Sequence, residues 1–150
     1  MTDIDLIAAA IHETWRALSR AEGWSMQPHL DRPFVDLAEA DKADNRAAAR
    51  RMNDVLTVAG LTLSDDKTKP DAPLPDDLEA MAAAEHDGWM AQRAANGWTW
   101  GKTRDEAAKR HPSMLPYARL PEREKHKDRN AIRHYPEFAA RAGVRIVRSG

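Results

Sequence analysis

Apolar residues recur at three- and four-residue steps in four stretches of the chain, and each stretch predicts a helix. Ile4, Ile7, Ile11, Trp15 and Leu18 form the first stripe, which Gly23 stops. The second runs from about Glu39 to Ala59, with Met52, Val55, Leu56 and Ala59 on one face before Gly60. The third starts near Pro75-Asp76-Asp77, acidic residues suited to the positive end of a helix dipole, and carries Leu78, Met81, Ala82 and Trp89 toward Gly97. The fourth spans about Glu122 to Ala142 and should break or kink at Pro136, which lacks the amide that would bond to the Ile132 carbonyl. Leu61-Thr62-Leu63 and Val144-Arg145-Ile146-Val147 alternate like brief strands and could pair. Ser64 to Pro75 is rich in Asp, Lys and Pro, so an extended or mobile linker that buries no apolar surface is expected.

The pattern is written twice. His12-Glu13-Thr14-Trp15 and Gly23-Trp24 return as His86-Asp87-Gly88-Trp89 and Gly97-Trp98, an offset of 74 residues. Leu37-Ala38-Glu39 and Ala59-Gly60-Leu61 return as Leu120-Pro121-Glu122 and Ala142-Gly143-Val144 at an offset of 83, so the second copy holds nine extra residues after Trp98. That period is too long for a solenoid unit and points to two copies of a small module, 1–63 and 78–150, joined by a linker at 64–77. The fold class expected is mainly α, each copy a helix pair with short strands, related by an approximate two-fold axis. Either half alone would have a marginal core, so the copies should pack face to face around a cleft.

Composition narrows the function. The 150 residues contain no cysteine, which removes disulfides and thiolate metal sites, and no apolar run fit for a signal peptide or a membrane span. A cytoplasmic protein is expected, without a membrane partner. The net charge of −1 argues against a nucleic-acid polymer as partner but hides an asymmetry. Residues 1–77 carry 9 Lys/Arg against 15 Asp/Glu, and residues 78–150 carry 14 against 9. Opposite charges can help the halves dock, or the second copy can supply the positive side of an anion site.

The ordered motif of the second copy resembles the RyR repeat, found in tandem pairs in ryanodine receptor channels and as small modules in bacterial and phage proteins. It comprises His86-Asp87-Gly88-Trp89, Gly97-Trp98-Thr99-Trp100-Gly101, Arg104-Asp105, Lys109, His111-Pro112, Leu115-Pro116-Tyr117, Leu120-Pro121 and Asp128-Arg129-Asn130. The first copy keeps the helix-one signature, but Ser25 to Asp36 is shorter and lacks the His-Pro and Pro-Tyr run. The resemblance implies a mainly helical, non-catalytic module. It further implies an adenine-nucleotide site between the repeats, with the base held by the two Gly-Trp tryptophans, here Trp24 and Trp98. In bacterial or phage settings it implies a sensor or a sequestering sponge for nucleotide-derived immune signals, ADP-ribose-like or cyclic.

The residues allow a plainer account of the same motif. A Gly-Trp pair ending a helix can be a left-handed cap whose apolar residue packs back on the last turn. Trp15 and Trp89 lie in the apolar stripes and are expected in the core, while Trp100 could go either way. The extra segment gathers Lys102, Arg104, Lys109, Arg110, His111 and Arg119 beside Trp100 and Tyr117, donors suited to phosphate next to aromatic surface. Arg129 and Arg133, four apart, could complete a positive wall. An enzyme reading rests on His12-Glu13-Thr14, the H-x-T form of two-histidine phosphoesterases, but the second copy has no hydroxyl at the matching position, Gly88. His-Glu-x-x-Trp offers one imidazole where a zinc-protease helix needs two, so neither metal nor cofactor is expected. The alternatives to a binding module are a protein-interaction module, docking a partner protein or a second copy of the chain, and a nucleotide hydrolase.

Overall fold

Each apolar stripe becomes helix in the computed structural model, which describes residues 3–150. Helix α1 spans Asp3–Glu22, α2 Glu39–Val58 and α3 Glu79–Ala95, and the fourth stripe divides into α4, Glu122–Arg133, and α5, Tyr135–Arg141. The division falls at His134, and Pro136 sits in the first turn of α5, where a missing amide leaves no bond unmade. Four short strands complete the described residues: β1 Leu61–Ser64, β2 Thr99–Trp100, β3 Arg110–His111 and β4 Arg145–Arg148. The two terminal strands pair antiparallel, with Leu63 opposite Ile146, its own counterpart at the 83-residue offset.

Residue by residue, the halves share their local devices. The α1 and α3 ends close alike, with Gly23 and Gly97 at φ +70° and +88°. There the Trp24 and Trp98 amides donate to the Ser19 and Arg93 carbonyls at 2.9 Å, the geometry of the capping account. Pro33-Phe34-Val35-Asp36-Leu37 and Pro116-Tyr117-Ala118-Arg119-Leu120 both form a 3₁₀ turn that buries its aromatic residue and its leucine. The first copy therefore keeps a proline–aromatic turn after all, with Phe in place of Tyr. Arg46 holds Asp5 at 2.7 Å and Glu39 at 3.4 Å, and Arg129 holds Glu79 at 3.0 Å and Glu122 at 2.6 Å, each guanidinium tying one helix pair together.

One hydrophobic cluster takes side chains from both halves, among them Ile7, Met52, Leu56, Met81, Ile132, Phe138 and Ile146. Helix α2 lies at its centre, against α1, α3 and β1. The linker departs from expectation. Ala72 and Leu74 alternate with Pro73 and Pro75, so the two apolar side chains face the core while the prolines stay outside. The Ala72 amide donates to the Ile146 carbonyl at 2.9 Å, and Arg145 Nη1 donates to the Lys69 carbonyl at 3.0 Å, which fastens the segment along the free side of β4. An alternation of two small apolar residues among prolines carries little weight in composition and is enough to anchor an edge.

Leu56 is fully buried and Val58, two residues on, is 52% exposed. Leu56→Ala should cost about 2–5 kcal/mol in urea unfolding and Val58→Ala less than about 0.5 kcal/mol. Similar losses in both variants would show that α2 does not present the face described.

Candidate ligand-binding cleft

Helices α1 and α2 of the first half face α3 and α4 of the second across a cleft of about 910 Å³, with Tyr135 and Phe138 of α5 also lining it. Trp15 and Trp24 line it from the first half and Trp89 from the second. His12 and His86, both buried, set the first and third of these indoles. Each Nε2–H donates to a loop carbonyl, Arg32 at 2.7 Å and Leu115 at 2.6 Å, and each ring lies tilted against its tryptophan, 6.1 Å from Trp15 and 5.5 Å from Trp89.

A polar ladder crosses the cleft. Arg51 on α2 donates through Nη2 and Nε to the two oxygens of Glu85 on α3, at 2.9 and 3.3 Å, and through Nη1 to Gln92 Oε1 at 2.8 Å. Gln92 in turn donates to Asp44 at 3.0 Å, and Arg93 stands 3.7 Å from the same carboxylate. Gly88 explains how Arg51 gets there. A Cβ at position 88 would lie 2.5 Å from Arg51 Cδ, so the guanidinium arm passes where a side chain would stand. A glycine inside a helix gives up about 1 kcal/mol against alanine. Here that loss opens the path of the bridge.

Asp128 is the carboxyl most perturbed by this setting. Burial above all, and then the neighbouring Glu85 and Glu124 carboxylates, push it up to about 7. Its Oδ2 lies 3.6 Å from His86 Nδ1, the ring nitrogen left over after Nε2–H is given to Leu115. His111 moves the other way, down to about 4, because it is half-buried and faces Arg104 and Arg93. Its Nδ1 accepts from the Ser113 amide at 3.0 Å, so at neutral pH it offers an uncharged Nε2–H. Seven carboxylates and five Lys/Arg side chains line the cleft, which is therefore no electropositive funnel.

The RyR domain family model matches residues 72–148, just over half of the chain. The chain belongs to the RyR domain family. The matched span takes in α3, the inserted segment, α4, α5 and β4, one wall of the cleft. No helix among the described residues of this RyR domain is long and apolar enough to cross a membrane.

The positions expected to bind a ligand are divided by the fold. Trp24, Arg104 and His111 line the cleft. Trp98 does not: it is 7% exposed, with the Arg93 guanidinium 5.2 Å over its ring and His111 at its edge. The nine inserted residues are the cause, since β3 pairs with β2 and brings His111 onto Trp98. Trp24 has no such cover and stays half-buried, with Lys127 Nζ 5.0 Å over its face. Trp15 and Trp89, expected in the core, are instead partly exposed walls of the cleft. Trp100 is 49% exposed outside the lining, and Lys102 is an exposed residue of the same outer segment. Lys109 adopts φ +56° and donates to the Asn96 carbonyl at 2.8 Å, capping α3. Tyr117 is buried and donates its hydroxyl to Glu79. Arg129 serves as the clamp described above, and Arg133 bonds its neighbour Asn130 at 3.0 Å. Of the expected positive wall, Arg129 is thus engaged between α3 and α4 and Arg133 within α4. Arg51, Glu85, Asp128 and Tyr135 are not marked as site residues by their sequence pattern, although a glycine in mid-helix at 88 is a visible sign of a close approach.

Two outcomes check this geometry. Gly88→Ala should lower the melting temperature despite alanine's helix propensity, and in an Arg51→Ala background the same change should be neutral or stabilising. A gain in both backgrounds would mean that Arg51 does not need the space. Asp128→Asn places at 128 the residue found at the counterpart position, Asn45. Because the folded carboxyl keeps its proton to about 7 and the unfolded reference is 3.8, the stability it contributes is full below pH 3.8 and lost as pH rises toward 7. The variant should match the parent near pH 4 and melt higher near pH 8, by roughly 2–4 °C per kcal/mol recovered. A difference independent of pH would contradict the burial of this carboxyl.

Proposed function

We propose that this RyR domain is a non-catalytic binding module that takes an adenine-containing nucleotide, of the ADP-ribose or cyclic type, in the cleft between its halves. The observation that carries the reading is that indoles from both halves, Trp15 and Trp24 on one side and Trp89 on the other, line one shared cleft. Flat faces on opposite walls suit a planar base, and each stacked face contributes about 1–3 kcal/mol. The volume falls within the roughly 300–1,000 Å³ usual for small-molecule sites. Lys127, over Trp24, and Arg123, 83% exposed, which share Glu124 at 3.4 and 3.8 Å, are the cations we place against a phosphate. Carboxylates outnumber cations along the lining, which favours a ligand with one or two phosphates over a triphosphate.

Binding without turnover is the form we propose, since the Nε2 atoms of His12 and His86 are both committed to backbone carbonyls. The module would then sequester its ligand or sense it for a partner protein, in the cytoplasm of a bacterial cell and of host or phage origin.

Titration with AMP, ADP, ADP-ribose and cyclic AMP should raise the melting temperature with concentration and quench tryptophan fluorescence for at least one of them. Trp24→Ala and Trp89→Ala should each weaken that ligand by about 1–3 kcal/mol, whereas Trp100→Ala should leave it unchanged. The ligand recovered after denaturation should be chemically intact. No shift with any nucleotide, or full affinity in both cleft variants, would remove this reading.

A further inference from the structure

Two side chains at the floor of the cleft have hydrogen-bonding capacity that the protein leaves unused. Tyr135, on α5, is 3% exposed, and its hydroxyl completes no well-formed hydrogen bond within the fold. The nearest acceptor, the Glu85 carboxylate, interacts with it only weakly while each of its oxygens accepts from Arg51. Burial keeps the Tyr135 proton in place well beyond neutral pH, so the hydroxyl is a donor. Its charged neighbours Glu85, Arg51 and Asp128 all line the cleft, which puts the hydroxyl at the floor and not inside the apolar core. Asp128, from α4, makes no side-chain hydrogen bond among the described residues, its one ion contact being the 3.6 Å approach of Oδ2 to His86. A buried donor without an acceptor is unfavourable in the free protein and is relieved when a ligand supplies the acceptor.

We propose that Tyr135 and Asp128 form a polar subsite for the neutral edge of the ligand, a group that sets an acceptor beside a donor, as in a carboxamide or an amino-substituted ring nitrogen. The Tyr135 hydroxyl donates to the acceptor and Asp128 meets the donor. An anion is turned away from this end, because Glu85 and Glu124 stand beside Asp128. A phosphate therefore stays at the rim near Lys127 while the base enters first. The inference rests on the cleft being the ligand site proposed above, and adds which end of the ligand is read at its floor.

Calorimetry at pH 7 with AMP, adenosine, ribose 5-phosphate and nicotinamide, on the parent protein, Tyr135→Phe and Asp128→Ala, tests it. Both variants should bind AMP and adenosine roughly 3- to 10-fold more weakly and ribose 5-phosphate unchanged, as expected for the loss of one hydrogen bond. The unliganded Tyr135→Phe protein should melt at or above the parent temperature, since it loses a hydroxyl that completed no well-formed hydrogen bond. A clear fall instead would show that the hydroxyl is bonded within the fold, and would overturn the subsite. AMP binding that neither variant weakens overturns the subsite and leaves the nucleotide reading standing. Binding of adenosine or nicotinamide but not AMP, weakened by Tyr135→Phe, supports the subsite and removes the nucleotide reading. Failure of all four probes to bind overturns both.

Discussion

The bidentate pairing of Arg51 with Glu85 is the contact on which the cleft depends. It is mostly shielded from water, with the two side chains 15% and 14% exposed, and it joins α2 of one half to α3 of the other. A guanidinium–carboxylate pair in that setting is directional, and removing either partner strands a charge. It also fixes what surrounds it. Gly88 must stay bare to let the arm through, Gln92 and Asp44 are aligned by the remaining donor, and Glu85, held toward Arg51, completes no well-formed hydrogen bond with Tyr135. The bridge therefore shapes the cleft and leaves its floor chemically unsaturated.

The two halves share their frame and differ in their chemistry. Arg46 and Arg129 make the same clamps, His12 and His86 the same ties to a loop carbonyl, and Gly23 and Gly97 the same helix ends. Positions that face the cleft have diverged. Asn45 corresponds to Asp128 and Asp44 to Lys127, while Thr14 and Arg51 of the lining correspond to Gly88 and His134, which lie outside it. Local devices common to the two halves frame the cleft, and unlike side chains on its walls give it a buried polar floor at one place and Glu124-paired cations at another. An asymmetric ligand needs such a cleft.

The tryptophans show where sequence periodicity stops being informative. Trp15 and Trp89 lie in register with buried residues of their helices, so the period places them inward. Inward, however, includes the seam between the halves as well as the core, and the seam here opens into a cleft. Trp98 and Trp24 occupy the same capping position, yet the inserted strand pair covers one and not the other. What distinguishes them lies in a segment some ten residues away along the chain, folded back by pairing that no local pattern announces.

Sequence by itself determined the helices, the break near Pro136 and the repeated caps, because each follows from local rules: apolar period, glycine conformation, a missing amide. It also carried the family likeness in an ordered run of residues. Tertiary structure alone decided the cleft. Whether an arginine is a free cation or a clamp depends on which carboxylate of another helix stands beside it, and Arg129 and Arg51 were drawn into the fold on that account. Whether a buried hydroxyl is satisfied depends on the distance and alignment of an acceptor carried by another helix. These are many-body matters of distance and competition among groups remote in sequence, and only packing brings them together.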